Sequence, residues 1–393
     1  MTEDAPEGMD MSPQAAAKRA ADFDEFFGRY NVLRYKPDDD DDASNAAAIV
    51  QRFSSAVKSN LKLMNRGGRP IDIEIGLLAA QDVNAYAAFN NGTYLIAIHQ
   101  GVNMRIGMAV AGMVADGRAF PEFGKEYFDG PFHFEPDFLR NGHIGKHVPY
   151  SPDAELLELG AQISHCAELF LVFHELAHIR NGHLDWYNQE FGLAAVDERK
   201  LLDTAGLGRL QRQTLEWDAD CWAVKTLFHG QIKIQLAKMG RLGETLAGPR
   251  IPEIAAVITR VMFGLWIVYK LFEPMHEVAD DLDSILEGMY PPPRNRALMA
   301  VAMMFTVLVR SCGADQATYS DDVSDSVVRA ELAWLAMTRE PAEKAINEAA
   351  YLAGRDLLHQ YSICWRDLHP ELDRLKLGPS IAPAWDEWDV DPI

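Results

Sequence analysis

Cysteine is scarce in this chain, and its spacing excludes two kinds of site. The 393 residues include four cysteines, none of them spaced as Cys-x-x-Cys. This pattern gives neither a disulfide framework nor a thiolate zinc site, and it fits the reducing cytoplasm. Residues 1–14 also lack the apolar stretch of a secretory signal. We therefore expect a cytoplasmic protein.

Long apolar runs and an excess of basic charge are also missing. The longest apolar runs, residues 261–269 and 297–309, are shorter than the roughly 20 residues that a membrane-spanning helix needs. The chain has 37 Lys and Arg against 58 Asp and Glu, for a formal net charge of -21. A charge of that sign disfavours nucleic acids and anionic membrane surfaces as main partners. We expect no membrane span and no nucleic-acid partner.

What the sequence does contain is a metal-site motif in an apolar stretch. Residues 170–183 include His174-Glu175-x-x-His178. On a helix, His174 and His178 lie one turn apart on the same face and can present two imidazoles to one ion. Zn²⁺ suits imidazole nitrogen, and a catalytic zinc keeps one position open for water, for which Glu175 is the predicted general base. The competing interpretation is a pair of core histidines without a metal.

A catalytic zinc site needs a third protein ligand. His183 is a poor candidate, because the metzincin spacing requires Gly at position 181 and His at position 184, where this chain has Asn and Leu. A continuous helix would also place His183 about 140° around the axis from His178. Glu216, in a later helical stretch with small alanines nearby, is the better candidate. Asp220, one turn after Glu216, is predicted to accept the outer ring N–H of a ligand histidine.

The remaining patterns predict an α+β fold that is mostly α-helical. Residues 71–75 alternate between apolar and polar, which indicates a strand, and two β-rich runs flank Asn91-Gly92, which indicates a hairpin. We predict a small sheet packed beside the two helices that carry the metal ligands. The predicted domains are an N-terminal tail, helix and acidic linker at 1–50, a peptidase domain at 51–310 with an insertion at about 115–160, and a helical extension with an acidic tail at 311–393.

These motifs resemble the gluzincin metallopeptidases of the HtpX and CAAX-protease type. The resemblance rests on His174-Glu175-x-x-His178 followed by Glu216-x-x-Ala219-Asp220. The hairpin segment is similar to one in that family, where an edge strand near the zinc pairs with an extended substrate. The resemblance therefore implies substrate contacts on this hairpin, at Asn84, Tyr94 and Ile96.

A later segment, residues 290–296, resembles the family's His-Pro…Arg segment with a tyrosine in place of the histidine. It implies substrate contacts at Tyr290 and Arg296. Among soluble relatives, the stretch that begins at His174 and continues Asn-Gly-His-Leu-Asp is most similar to the Lit-type phage-exclusion peptidases.

The sequence thus predicts an endopeptidase with one Zn²⁺ per chain that hydrolyses a peptide bond in a protein or peptide substrate. By resemblance its role is in phage defence or a stress response. The enzyme is then expected to be latent, held off by the 115–160 insertion or controlled by an activating or inhibitory protein partner. The alternative is a zinc-binding interaction protein without catalytic activity.

Overall fold

Helices make up most of the molecule, and the prediction of an α+β, mainly helical fold is confirmed. The computed structural model describes residues 12–36, 40–62, 64–66, 69–115, 119–120, 134, 153–192, 194–197, 208–273, 286, 291–340 and 348–382. The chain divides into two compact units: unit 1 contains residues 1–102, 172–219 and 359–393, and unit 2 contains residues 103–171 and 220–358. The predicted domain boundaries stay a prediction, and most of the 115–160 insertion lies outside the described residues.

The α-helices with described bounds are α1 (Pro13–Gly28), α2 (Asp40–Leu61), α3 (Gln100–Ala115), α4 (Ala154–Arg180), α5 (His183–Phe191), α6 (Arg209–Lys238), α7 (Pro252–Phe272), α8 (Pro293–Thr306), α9 (Ser320–Thr338) and α10 (Glu348–Leu375). A π-helical turn, Val307–Ser311, and a 3₁₀ helix, Gln316–Tyr319, lie between α8 and α9. The strands are β1 (Asn65–Arg66), β2 (Arg69–Pro70), β3 (Asp72–Leu78), β4 (Ala85–Asn90), β5 (Thr93–His99) and β6 (Ala195–Asp197).

Unit 1 contains a four-stranded mixed sheet with the strand order β3-β5-β4-β6. β3 runs parallel to β5 along its whole length, and β4 is antiparallel to both β5 and β6. β5 is therefore an inner strand that is hydrogen-bonded on both sides. In the part of the chain that the structure describes, β3 and β6 are the outer strands of this sheet.

The predicted hairpin is confirmed as β4 and β5. Asn90 pairs with Thr93, so Asn91 and Gly92 form a two-residue loop. Both loop residues have positive φ, 50° at Asn91 and 91° at Gly92. Two positive φ angles define a type I′ turn, whose twist matches the flanking strands and whose favoured sequence is Asn-Gly. The local sequence therefore fixes the register of β4 against β5.

Helix α1 packs on this sheet through a row of phenylalanines. Phe23, Phe26 and Phe27 recur at spacings of three and four residues, so they share one helix face. The sheet residues in the same buried cluster are Leu78, Ala88, Leu95 and Ala97. Each buried ring contributes about 1.5–3 kcal/mol relative to an exposed one, which fixes α1 against the sheet.

Unit 2 contains α7, a helix in which residues 261–271 are all buried. Gly264 lets α7 approach α4 closely, because a Cβ at this position would lie 2.9 Å from the backbone nitrogen of Ala167. α7 also packs against α9, where the hydroxyls of Thr259 and Ser326 lie 3.0 Å apart. A helix covered in this way is apolar nearly all round its circumference.

Two of the described helices, α4 and α7, are long and apolar enough to cross a membrane, judged by length and composition alone. In the most apolar window of each, 56% of α4 and 83% of α7 is buried inside the protein. The apolar run at 261–269 is shorter than a bilayer span, but the helix that contains it has 21 residues. Core helices of folded domains meet the same criterion, so these two helices give only weak evidence for a span.

Candidate metal centre

Helix α4 carries the His-Glu-x-x-His motif. Asp153 caps its start, because its Oδ1 accepts the backbone N–H of Glu155 at 2.9 Å. The sequence also predicts a helix start at Ser151 and Pro152, because serine is a favoured N-cap and proline a favoured first residue, but both lie outside the described residues. Residues 166–179 of this helix are all buried. The motif therefore lies on a well-packed helix, which restricts the movement of any side chain that binds a ligand.

Three side chains from two helices meet at one point within unit 1. The ligating atoms of His174, His178 and Glu216 lie within 4.8 Å of one another, and all three residues are buried. The Nε2 atoms of the two histidines are 3.1 Å apart. Oε2 of Glu216 lies 3.2 Å from Nε2 of His174, and Oε1 lies 3.8 Å from Nε2 of His178. The structure thus brings together the three residues that the sequence predicts as metal ligands.

The separations between these atoms suit a tetrahedral divalent cation. Zn²⁺ binds imidazole nitrogen at about 2.0–2.1 Å, which places two tetrahedral ligand atoms about 3.3 Å apart. The observed separations of 3.1, 3.2 and 3.8 Å bracket that value. Two imidazoles and one carboxylate are also a donor set of catalytic zinc sites. The residues therefore fit Zn²⁺, although the same donors bind other divalent transition metals.

Glu175, the predicted general base, follows the first histidine on α4. Its side chain is fully buried, with 0% exposure. Little water screens a carboxylate in such a place, so it interacts strongly with any charge close to it. The role of Glu175 as a base stays a prediction.

His183 contacts one of the two motif histidines. Its Nδ1 lies 3.1 Å from Nδ1 of His178, the ring nitrogen that does not face the other ligands. Its Nε2 lies 3.0 Å from Oδ2 of Asp218, and the same oxygen accepts a hydrogen bond from Nδ2 of Asn181 at 2.6 Å. His183 is not part of the three-residue group, but it is the first residue of α5 and is completely buried.

Sequence reasoning missed both the contact between His183 and His178 and the acid Asp218. The signal was Gly182, which the sequence predicts as the cap that ends the helix and which has φ of 83° between α4 and α5; its consequence for the position of His183 was missed. A glycine in the left-handed conformation ends a helix and redirects the chain, so helical angles counted across it do not apply.

Asp220 and Arg296 form a buried ion pair within unit 2. Nε and Nη2 of Arg296 donate to the two carboxylate oxygens of Asp220, both at 2.7 Å. The guanidinium also lies over the ring of Tyr269, 4.9 Å from its centroid. Burial, and after it the charge of Asp220, raises the pKa of Tyr269. The guanidinium expected to contact substrate is thus engaged by Asp220, and a role of Asp220 toward a ligand histidine stays a prediction.

The structure does not place Tyr94 and Ile96, the predicted substrate contacts, on an edge strand, and their contact with substrate stays a prediction. The sequence places both on an edge strand, but both lie on the inner strand β5, which is paired with β3 and β4. A strand with both edges paired has no N–H and C=O groups left for an extended substrate. Both side chains are also buried, and the Tyr94 hydroxyl donates to Oδ2 of Asp185 at 2.8 Å.

Two further predicted substrate contacts have different outcomes. Asn84 is buried, and its amide stabilises the start of β4: Oδ1 accepts the N–H of Ala85 at 3.0 Å and Nδ2 donates to the hydroxyl of Tyr86 at 2.8 Å. These hydrogen bonds give Asn84 a structural role, and its contact with substrate stays a prediction. Tyr290 lies outside the described residues.

No protein-family model, curated protein or solved structure matches this chain. The resemblance to gluzincin peptidases therefore stays an expectation, and the chemistry of the site is argued from the geometry of its own residues.

Proposed function

We propose that the protein is a zinc-dependent endopeptidase of the gluzincin type. The observation that carries the proposal is the meeting of His174, His178 and Glu216 at one buried point. Glu175 adds a second buried carboxylate directly after the first ligand. Hydrolysis through an activated water needs a base of this kind, whereas a site that only stabilises the fold does not.

The proposed reaction is hydrolysis of a peptide bond in a protein or peptide. Bound Zn²⁺ would lower the pKa of a water molecule and polarise the scissile carbonyl. His174 and His178 would hold the ion through Nε2, and Glu216 would hold it through its carboxylate. Glu175 takes a proton from the attacking water and passes it to the leaving nitrogen as the C–N bond breaks. The products are a carboxylate and an amine.

The burial of the site supports a latent enzyme. His174 is 1% exposed, and Glu175, His178 and Glu216 are 0% exposed. Side chains this deeply buried leave little surface for a peptide bond to contact, which favours a chain that rearranges before cleavage. We therefore include in the proposal an activating or inhibitory protein partner. A role in phage defence, implied by the resemblance to Lit-type peptidases, fits an enzyme that waits for such a signal.

The test of catalysis compares new N-termini in cells that express the wild type or Glu175→Gln. We expect the variant to keep its metal and to lose the cleavage products, because Gln cannot accept the proton of water. Glu155→Gln is a matched control, since Glu155 is exposed on the same helix. If Glu175→Gln produces the wild-type set of new N-termini at wild-type levels, the mechanism is wrong.

The test of the metal site measures zinc per chain in purified protein. We expect one zinc in the wild type and in Glu155→Ala, and a sharply lower content in Glu216→Ala because the third ligand is lost. Equal zinc content in the wild type and Glu216→Ala would remove Glu216 from the ligands.

A second candidate function is a zinc-binding interaction protein without catalytic activity. The complete burial of the ligand group favours it, because a structural zinc site has no coordination position that water must reach. X-ray absorption of the zinc protein separates the two functions. Three protein ligands and one solvent oxygen support the peptidase, and four protein ligands support the interaction protein.

A further inference from the structure

A second histidine contacts the outer nitrogen of a proposed metal ligand. Nδ1 of His183 lies 3.1 Å from Nδ1 of His178, and Nε2 of His183 lies 3.0 Å from Oδ2 of Asp218. We propose that His183 and Asp218 are a positioning pair, which holds His178 in the tautomer and orientation that present its Nε2 to the metal. This inference rests on the metal site of the proposed function.

The positions of the protons follow from the order of the contacts. When a neutral imidazole binds a cation through Nε2, its one proton is on Nδ1. Nδ1 of His183 must then accept a hydrogen bond from Nδ1–H of His178. The ring proton of His183 is therefore on its Nε2. At that nitrogen the carboxylate of Asp218 lies 3.0 Å away. The chain His178–His183–Asp218 is therefore consistent with only one tautomer of each ring.

Asp218 is itself held in place by neighbouring residues. Nδ2 of Asn181 donates to Oδ2 of Asp218 at 2.6 Å, and Nη1 of Arg180 donates to Oδ1 of Asn181 at 2.6 Å. His183 and Asp218 are both buried, so water does not compete for these contacts. In such surroundings the charge of a carboxylate 3.0 Å from a ring nitrogen favours the tautomer with its proton on that nitrogen, even without a linear hydrogen bond.

The turn at Gly182 brings His183 back toward His178. A Cβ on Gly182 would lie 2.9 Å from the carbonyl carbon of Leu375, so the residue must be glycine for space as well as for its φ of 83°. Close by, the carbonyl of Arg180 accepts the backbone N–H of Leu377 at 2.8 Å. The chain after α10 therefore packs against the turn and fixes the place where α5 begins.

The test measures zinc affinity, without any substrate, by competition with a chromophoric chelator on the full chain. His183→Phe keeps a flat ring but has no nitrogen to accept from His178, so we expect zinc to bind about 10–100-fold more weakly. His183→Gln offers an amide oxygen in its place and should recover most of the affinity. Asp218→Asn keeps the shape of the acid without its charge and should give an intermediate loss.

A spectrum separates positioning from simple destabilisation. The visible absorption of the Co²⁺-loaded protein reports the ligand geometry, and we expect it to change in His183→Phe and to return in His183→Gln. His99→Phe is the matched control, because His99 is also buried with an aspartate partner, Asp82, 2.8 Å from its Nδ1. His99→Phe should leave both the zinc affinity and the Co²⁺ spectrum as in the wild type.

Several outcomes would overturn the inference. These are wild-type affinity in His183→Phe, an equal loss in the Phe and Gln variants, or an equal loss in His99→Phe. If circular dichroism shows that His183→Phe does not fold, the decision rests on His183→Gln and Asp218→Asn. Weak zinc binding by His183→Gln, or zinc binding as tight as in the wild type by Asp218→Asn, then overturns the inference. A wild type that binds zinc but cleaves nothing overturns the peptidase alone, and a wild type that binds neither metal overturns both proposals.

Discussion

The buried pair of Asp220 and Arg296 gives a prediction about stability that also tests a predicted site role. Two hydrogen bonds of 2.7 Å join the side chains, which are 4% and 7% exposed. With charge centres about 4 Å apart and an effective dielectric constant of about 20, the attraction is about 4 kcal/mol. Desolvation offsets much of that gain, so the net contribution of the intact pair is smaller.

Removing one partner has a larger effect than the net value of the pair. Asp220→Asn leaves the guanidinium of Arg296 buried without a counter-charge, which costs about 3–5 kcal/mol of folding free energy. Arg296→Met likewise leaves the carboxylate of Asp220 buried without a counter-charge. The methionine side chain can still pack on Tyr269. The double variant buries no lone charge, so we expect it to be clearly more stable than the sum of the two single losses.

Urea unfolding, followed by circular dichroism, measures these free energies. Asp325→Asn in α9 is the control, because an exposed aspartate should change stability by no more than about 0.5 kcal/mol. A loss below about 1 kcal/mol in Asp220→Asn, or strict additivity in the double variant, would refute the reasoning. Zinc affinity then tests the predicted contact with a ligand histidine: it should fall in Asp220→Asn and not in Arg296→Met.

Three further predictions concern packing, the inner strand and a buried thiol. Gly264→Ala should lower stability by about 1–3 kcal/mol because its Cβ meets the backbone of α4, whereas Gly107→Ala, with no atom within 4 Å, should raise it by about 0.5–1 kcal/mol. Equal changes in the free energy of unfolding of the two variants, measured with urea, would contradict this. Tyr94→Phe removes the donor to Asp185 and should cost about 1–3 kcal/mol without changing KM for cleavage; an altered KM would restore Tyr94 as a substrate contact. Burial raises the pKa of Cys166 to about 12, so iodoacetamide at pH 8 should label it only after unfolding, and native labelling would contradict its burial.

Local sequence signals predicted the parts of the sheet that depend on local chemistry. Asn91-Gly92 predicts the type I′ turn, and the turn sets the register of β4 against β5. The position of β3 could not be read in the same way. β3 precedes the hairpin in the chain and pairs in parallel with its far strand, a contact that no short-range pattern encodes. The expectation that Tyr94 and Ile96 lie on an edge strand was wrong because the pairing of β3 with β5 was not foreseen.

The ligand group was predictable because its chemistry depends on residue type and a short spacing. His174 and His178 are one turn apart on one helix, and the buried carboxylate of Glu216 is the acid that faces them. His183 needed different information. Counting angles along a continuous helix places it away from His178, but α4 ends at Arg180 and the turn at Gly182 returns the chain. The exclusion of His183 as a ligand and its contact with His178 are therefore compatible.

Three acids on α6 show what residue type alone can predict about the site and what it cannot. Glu216, Asp218 and Asp220 are all buried, and a buried carboxylate is stable only with a partner, so each acid predicts a base nearby. Successive acids lie about 200° apart around the helix, so only Glu216 and Asp220 share a face. That shared face led us to expect both at the same histidines. The structure gives Asp218 a contact with His183 and gives Asp220 a bidentate pair with Arg296, and a contact of Asp220 with a ligand histidine stays a prediction. Partners of this kind come from distant segments of the chain. The local sequence can therefore predict that a buried acid has a partner, but not which residue that partner is.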